Sequence, residues 1–301
     1  MTLFQSLCVL LLLLFISCAH ASPKINDADL FPYVESFTKG KTTLHYLASA
    51  HAVKTDSPTF QLIDRELKEF KPQAIVLESF PRAFGISPER MVAHAKTEGA
   101  NGIFRGGEDI YAVKRAAELH IEFVGGEPDQ ATVLKAVLAQ GFTIQDLLGF
   151  YFVRQIPADR RVHPLDEKSM PGTYQHYLET WSQELKVPQA AQPSYTEFKN
   201  WFQATCKIPF KVGQIDAVTT APREDGKCLH ALSALINRVR IEVSIATLRE
   251  MLDRHDRVLM IYGGSHLQND RKEIEKILGP AASRFPPQGH EQIVSLFKPR
   301  R

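Results

Sequence analysis

The chain has 301 residues, 44% of them hydrophobic and 23% charged, an ordinary globular balance that fits one large domain or two. A net charge of +2 gives no electrostatic case for nucleic acid or for an anionic membrane surface. No internal repeat or low-complexity tract interrupts it.

Leu7 to Ala19 is almost wholly apolar and runs into Ala19-His20-Ala21, a small-x-small cleavage pattern. About a dozen apolar residues fall short of the roughly 20 that span a bilayer. Residues 1–21 therefore read as a secretory signal peptide, although no Lys or Arg precedes the apolar run. The alternative is a lipoprotein site at Phe15-Ile16-Ser17-Cys18, anchored through Cys18. Cleavage after Ala21 leaves a single α/β domain over 22–301, exported to a periplasm or secreted, with no transmembrane span. It also leaves Cys206 and Cys228, which are expected to pair in that setting.

After a polar lead, TTLHYLA (Thr42 to Ala48) reads as a strand that runs into Ser49-Ala50-His51. Asp56-Ser57-Pro58 supplies a helix cap, and Phe60, Ile63, Leu67 and Phe70 recur at helical spacing. Ala74 to Leu77 is a second buried strand, followed by Glu78. The stretch from Gly85 to Gly107 is less regular, and Glu108 to His120 reads as a helix. Ile121 to Val124 is the third strand and ends in Gly125-Gly126-Glu127. Asp129 and Thr143 cap the next two helices. Residues 157–227 hold both tryptophans and both remaining cysteines, and read as a mostly helical insertion packed over the sheet. His230 to Arg254 is one long helix with Leu232, Ile236, Val239, Val243 and Ala246 as its apolar stripe. VLMIYGGSH (Val258 to His266) is the fourth strand, with its histidine just beyond the end. Asn269 or Asp270 is expected to cap a closing helix, and Ile293 to Phe297 to form a last strand.

Alternating strands and helices predict an α/β fold with a mixed, largely parallel sheet flanked by helices. Parallel strands share one C-terminal edge, where ligands bind in open sheets. Four strands then each deliver one ionisable group to that edge: His51, Glu78, Glu127 and His266. Two imidazoles and two carboxylates suit either a divalent metal with an open position for water or general acid–base chemistry without metal. Glu108-Asp109 either face the same cleft or cap their helix, and Tyr262 either donates to substrate or belongs to the core. Ser265 stands outside the G-x-S-x-G pattern and reads as lacking the strand-turn-helix context of a hydrolase elbow. Arg154, Arg160 and Arg161 read as a solvated basic face, and His163 has no evident partner.

Gly263-x-x-His266, its counterpart Ala48-x-x-His51, Glu78 in VLESFP and Glu127 in GGEP resemble the TraB/PrgY/GumN and TIKI superfamily. Erythromycin esterase and the haem-binding ChaN proteins are its more distant members. The resemblance covers most of the chain in motif order. Arg240 fits the family's arginine, with Arg238 a near competitor, and Ala48 stands where the family usually has glycine. The resemblance implies an exported hydrolase of peptide or ester bonds. In a metal-dependent version His51, Glu127 and His266 would be ligands and Glu78 would take the proton of water. In a metal-free version one histidine is the base and a glutamate orients it, with Arg240 stabilising developing negative charge. The alternative is an envelope protein that binds haem or a metal. Haem needs an apolar slot beside its axial ligand, and the sequence shows none.

Overall fold

The computed structural model describes residues 32–81, 88–160, 164–223 and 227–285. The expected signal peptide, Cys18, Arg161, His163 and the strand expected at 293–297 lie outside these residues. Six strands are described: β1 (Tyr33–Lys39), β2 (Thr42–Ser49), β3 (Ala74–Pro81), β4 (Glu122–Glu127), β5 (Arg257–Gly263) and β6 (Ser283–Phe285). They form one sheet in the order β4-β3-β5-β2-β1-β6. The four strands read from the sequence are parallel neighbours, β4 to β3, β3 to β5 and β5 to β2. The expected α/β architecture is present.

Each apolar run is continuous because both faces of the sheet are covered. Leu47, Ile75, Leu77, Leu259 and Ile261 pack on one side against α1 (Pro58–Glu69), α2 (Pro88–Thr97) and α3 (Gly107–Leu119). Tyr46, Val76, Val258 and Met260 pack on the other against α8 (His230–Arg254) and α9 (Gly264–Leu278). Fully burying such a side chain contributes roughly 1.5–3 kcal/mol. α2 lies in the stretch expected to be irregular.

β1 lies in what the sequence presents as a polar lead. It pairs antiparallel with β2, and β6 pairs antiparallel with β1. Glu35 hides the pattern: a buried glutamate sits where a core residue would be expected, held by Arg271 at 2.6 Å.

The helical region differs from expectation in its limits. α4 (Gln130–Ala139), α5 (Ile144–Asp159), α6 (Met170–Glu184) and α7 (Tyr195–Cys206) share a hydrophobic core with the first half of α8. This layer therefore begins at α4, ahead of Pro157, and it has its own core separate from those of the sheet. Cys206 and Cys228 form a disulfide across it, with Cα atoms 4.0 Å apart. Closing a loop of this length is worth roughly 3 kcal/mol in the chain-entropy model.

α8 has the predicted bounds but not one unbroken stripe. Leu232, Ile236 and Val239 face the helical core, whereas Ile245, Leu248 and Met251 face the sheet. Ala246 is exposed, because the buried face rotates when the helix passes from one neighbour to the other.

Candidate active site

Parallel register explains why the four strand ends meet. Ser49 on β2 lies level with Gly263 on β5, and Leu77 on β3 lies level with Ile261. The residues just beyond, His51, Glu78 and His266, therefore come from three adjacent strands. On the β3–β4 side the pairing jumps from Leu77↔Gly125 to Pro81↔Glu127, four residues of β3 against two of β4. Such an irregularity re-aims side chains. Glu78 sits in it, and its carboxylate turns across to the end of β5.

There Glu78 accepts the Gly263 amide hydrogen at 2.6 Å on one oxygen and the Arg240 guanidinium at 3.0 Å on the other. His266 Nε2 lies 3.1 Å from that second oxygen. Burial opposes ionisation of Glu78, but the hydrogen bond and charge of His266, the Arg240 charge and the Gly263 amide outweigh it. Its carboxyl is held well below the usual carboxylate range, so it is an anion at any working pH. Arg240 grips Glu127 with two further bonds, Nε at 2.6 Å and Nη2 at 3.0 Å. Burial alone would lower the proton affinity of Arg240, yet Glu127 and Glu78 raise it above the ordinary arginine value. Arg238, two residues away, points to the exposed side of α8; successive positions are about 100° apart on a helix, so only one of the two could face the carboxylates.

His51 is held from the opposite side by Glu108. The glutamate stands in the first turn of α3 and is 4% exposed. It accepts from His51 Nδ1 at 2.7 Å, Ser49 Oγ at 2.8 Å and the Ala52 amide at 3.2 Å. The hydrogen bond that His51 donates to Glu108 raises the His51 pKa to about 9, against the cost of partial burial. Nε2 is turned the other way. A Cβ built on Gly263 would lie 2.9 Å from His51 Nε2 and 3.2 Å from Glu78 Oε2. Glycine is therefore the residue that lets the imidazole approach the strand end. His51 and His266 thus flank one carboxylate, although 215 positions separate them (266 minus 51).

α9 begins directly at Gly264, so Asn269 and Asp270 lie inside it and neither caps it. The Gly263 amide takes the Glu78 carboxylate in place of a cap, and an anion is favoured at a helix N-terminus. Ser265 consequently sits in the first turn of α9, directly behind the end of β5. Among the described residues, however, no histidine is hydrogen-bonded to its hydroxyl, so nothing activates it as a nucleophile.

Tyr262 is 1% exposed, and a Cβ on Gly126 would meet its hydroxyl at 2.0 Å. Its ring packs edge-on against His266 with centroids 5.7 Å apart. It forms a wall behind His266, and its hydroxyl does not open onto the cleft.

One turn beyond His266, buried Asp270 accepts a hydrogen bond from Tyr46 at 3.2 Å. Burial pushes its carboxyl up to about 6, with the His266 charge opposing. Because the folded value exceeds the unfolded one, this group's stability is present at low pH and lost as pH rises through about 6. Asp270→Asn removes the charge and keeps an acceptor for Tyr46. By calorimetry it is expected to melt several degrees above the wild type at pH 8, on the order of 2 kcal/mol, and to converge with it near pH 4. Equal melting at pH 8 would refute this.

Of the metal ligand set implied by the resemblance, Glu127 does not fit this arrangement. Both Glu127 oxygens are taken by Arg240, whereas His51 holds Nδ1 on Glu108 and keeps Nε2 uncommitted, as a ligating histidine would. Among the described residues no group of three or more His, Cys, Asp or Glu side chains is placed to hold a metal ion.

Two open cavities adjoin the site. One of about 1050 Å³ lies beside His51 and Glu108, with Phe80, Met91 and Ile110 in its wall. The other, of about 800 Å³, lies under the helical layer between Glu127, Arg240 and Ser265. Neither is legible in the sequence, because their walls come from segments far apart in the chain. Among the described residues no helix is long and apolar enough to cross a membrane. Comparison with protein-family models, curated proteins and solved structures yielded no match.

Proposed function

We propose that the chain is an exported hydrolase in which His51, oriented by Glu108, activates water against an ester or peptide carbonyl. The observation that supports this best is the His51 geometry. Buried Glu108 fixes Nδ1 as the proton-bearing nitrogen and leaves Nε2 facing the strand ends. That is the base-and-orienter relation of a hydrolytic dyad. Water gives its proton to Nε2 as its oxygen bonds to the carbonyl carbon. The tetrahedral oxyanion collapses, and the leaving group departs with the proton from Nε2. Arg240 uses Nε and Nη2 on carboxylates, so its Nη1 hydrogens are the donors left for the oxyanion. Glu78 and Glu127 hold that guanidinium and His266 in place. The disulfide supports an oxidising compartment.

The apolar wall beside His51 favours one second reading, a haem-binding envelope protein with His51 as axial ligand. The deciding experiment measures ester and peptide turnover, metal content and haem absorbance of untagged protein beside His51→Ala and His266→Ala. The hydrolase reading expects turnover that survives chelation and falls at least about 100-fold in His51→Ala. A Soret band lost in His51→Ala would establish the haem protein instead. Stoichiometric metal, with turnover abolished by chelation, would overturn the metal-free mechanism.

A further inference from the structure

Of the three arginines that the sequence presents as one basic face, two of them, Arg154 and Arg160, are among the described residues, and they have different surroundings. Arg160 donates to the backbone carbonyls of Val212, Gly213 and Ile215 and ties the end of α5 to the segment after α7. Arg154, also on α5, turns to the cleft. It lines both the 800 Å³ cavity and a smaller one of about 180 Å³ that reaches Ser265 and His266. Its side chain is open to solvent there. Among the described residues it makes no hydrogen bond or ion pair, so its five N–H groups are uncommitted beside space that a ligand can enter.

The rest of the wall does not answer that charge. Glu127 is the one carboxylate among the residues lining the larger cavity, and Arg240 holds both of its oxygens. The smaller cavity is lined by neutral polar groups such as Thr220, Asn237 and Asn269, with no carboxylate among its lining residues.

We propose that Arg154 anchors a free carboxylate on the substrate, so that the compounds cleaved are acyl derivatives bearing a second, acidic group. A planar guanidinium fork matches a carboxylate through two parallel bonds. Glu78, Glu127, Arg240 and Arg154 together carry no net charge. A monoanion is therefore accepted beside the two glutamates at less electrostatic cost than a phosphate dianion. The anchor on α5 and the reacting groups at the strand ends would hold the substrate at two points. This rests on the hydrolase reading for the word substrate, but the anion site itself does not.

The test compares 4-nitrophenyl acetate with mono(4-nitrophenyl) glutarate, each corrected for spontaneous hydrolysis, in the full chain and in Arg154→Leu and Arg154→Lys. The wild type is expected to favour the charged ester in kcat/KM by roughly 10- to 100-fold, the strength of a bidentate charged contact. In Arg154→Leu that ratio should fall toward one, and Arg154→Lys should restore part of it. Calorimetry with glutarate and with inorganic phosphate runs in parallel. Glutarate binding lost in Arg154→Leu supports the anchor even where neither ester is turned over, a result that would sink the hydrolase alone. Turnover without preference for the charged ester, or glutarate binding unchanged in Arg154→Leu, overturns the anchor and leaves the hydrolase standing. Binding of phosphate but not glutarate overturns the carboxylate assignment.

Discussion

Glu108→Gln is expected to move the acid limb of the pH–rate profile from near pH 9 toward about 6.5 while lowering the plateau by about 10²–10⁴-fold. The two effects have one cause. The hydrogen bond and charge of Glu108 stabilise the His51 imidazolium and hold its pKa at about 9. A base works in its neutral form, so the wild-type rate should climb with pH and level off above that value. The neutral amide removes the charge, so His51 loses its proton at lower pH. It also no longer fixes Nδ1 as the donor, so Nε2 is less often the free nitrogen, and catalysis drops. A structural role for Glu108 would lower activity without displacing the limb. The measurement is kcat/KM from pH 6 to 10 for both proteins. A limb that stays near pH 9 in the variant would remove Glu108 from the mechanism.

Arg240→Leu is expected to cost the fold about 3–5 kcal/mol, because it strips two half-enclosed carboxylates of their shared cation. Glu78 and Glu127 are each 15% exposed at the side chain, so water cannot fully replace the guanidinium. Thermal melting at pH 7 should fall by roughly 10 °C. The sign of the pH dependence follows from Glu78. Its pKa in the wild type is depressed, so its stability is present at neutral pH and is lost as pH falls through the carboxylate range. The gap between wild type and variant should therefore narrow in acid. Arg238→Leu, on the exposed side of the same helix, provides the comparison and should shift melting far less. An Arg240→Leu protein that melts within a degree or two of wild type at pH 7 would show that the carboxylates are compensated by other groups.

The parts of the fold legible in the sequence are those governed by local pattern. Short apolar runs mark β2 to β5, with glycine closing those of β4 and β5, and side-chain caps at Ser57, Asp129 and Thr143 set three helix starts. The bounds of α8 follow from composition alone. What stayed hidden depends on partners distant in sequence. β1 is not legible as a strand because Glu35 is neutralised by Arg271, more than two hundred residues later. The start of α9 carries no local side-chain cap, because the amide of Gly263 just before it is satisfied by Glu78 from another strand.

The same reason explains the site. The positions of His51, Glu78, Glu127 and His266 are readable because each follows its own apolar run. Glu108 was read as either a cap or a cleft residue, and nothing local distinguishes the two. A signal was present in Gly106-Gly107. Gly107 adopts φ of +69°, and a Cβ there would sit 3.4 Å from the Ala52 carbonyl. The glycine pair is what brings the start of α3 against the end of β2.

The shared helix α8 has a further consequence for how the molecule comes apart. Its first half is packed into the helical layer, its second half is packed on the sheet, and Arg240 stands at the junction. Neither layer can lose its structure alone unless a continuous helix breaks at the residue that pins Glu78 and Glu127. Loosening of the helical layer is thereby coupled to release of the carboxylates, and the integrity of the site becomes a property of the whole cooperative unit.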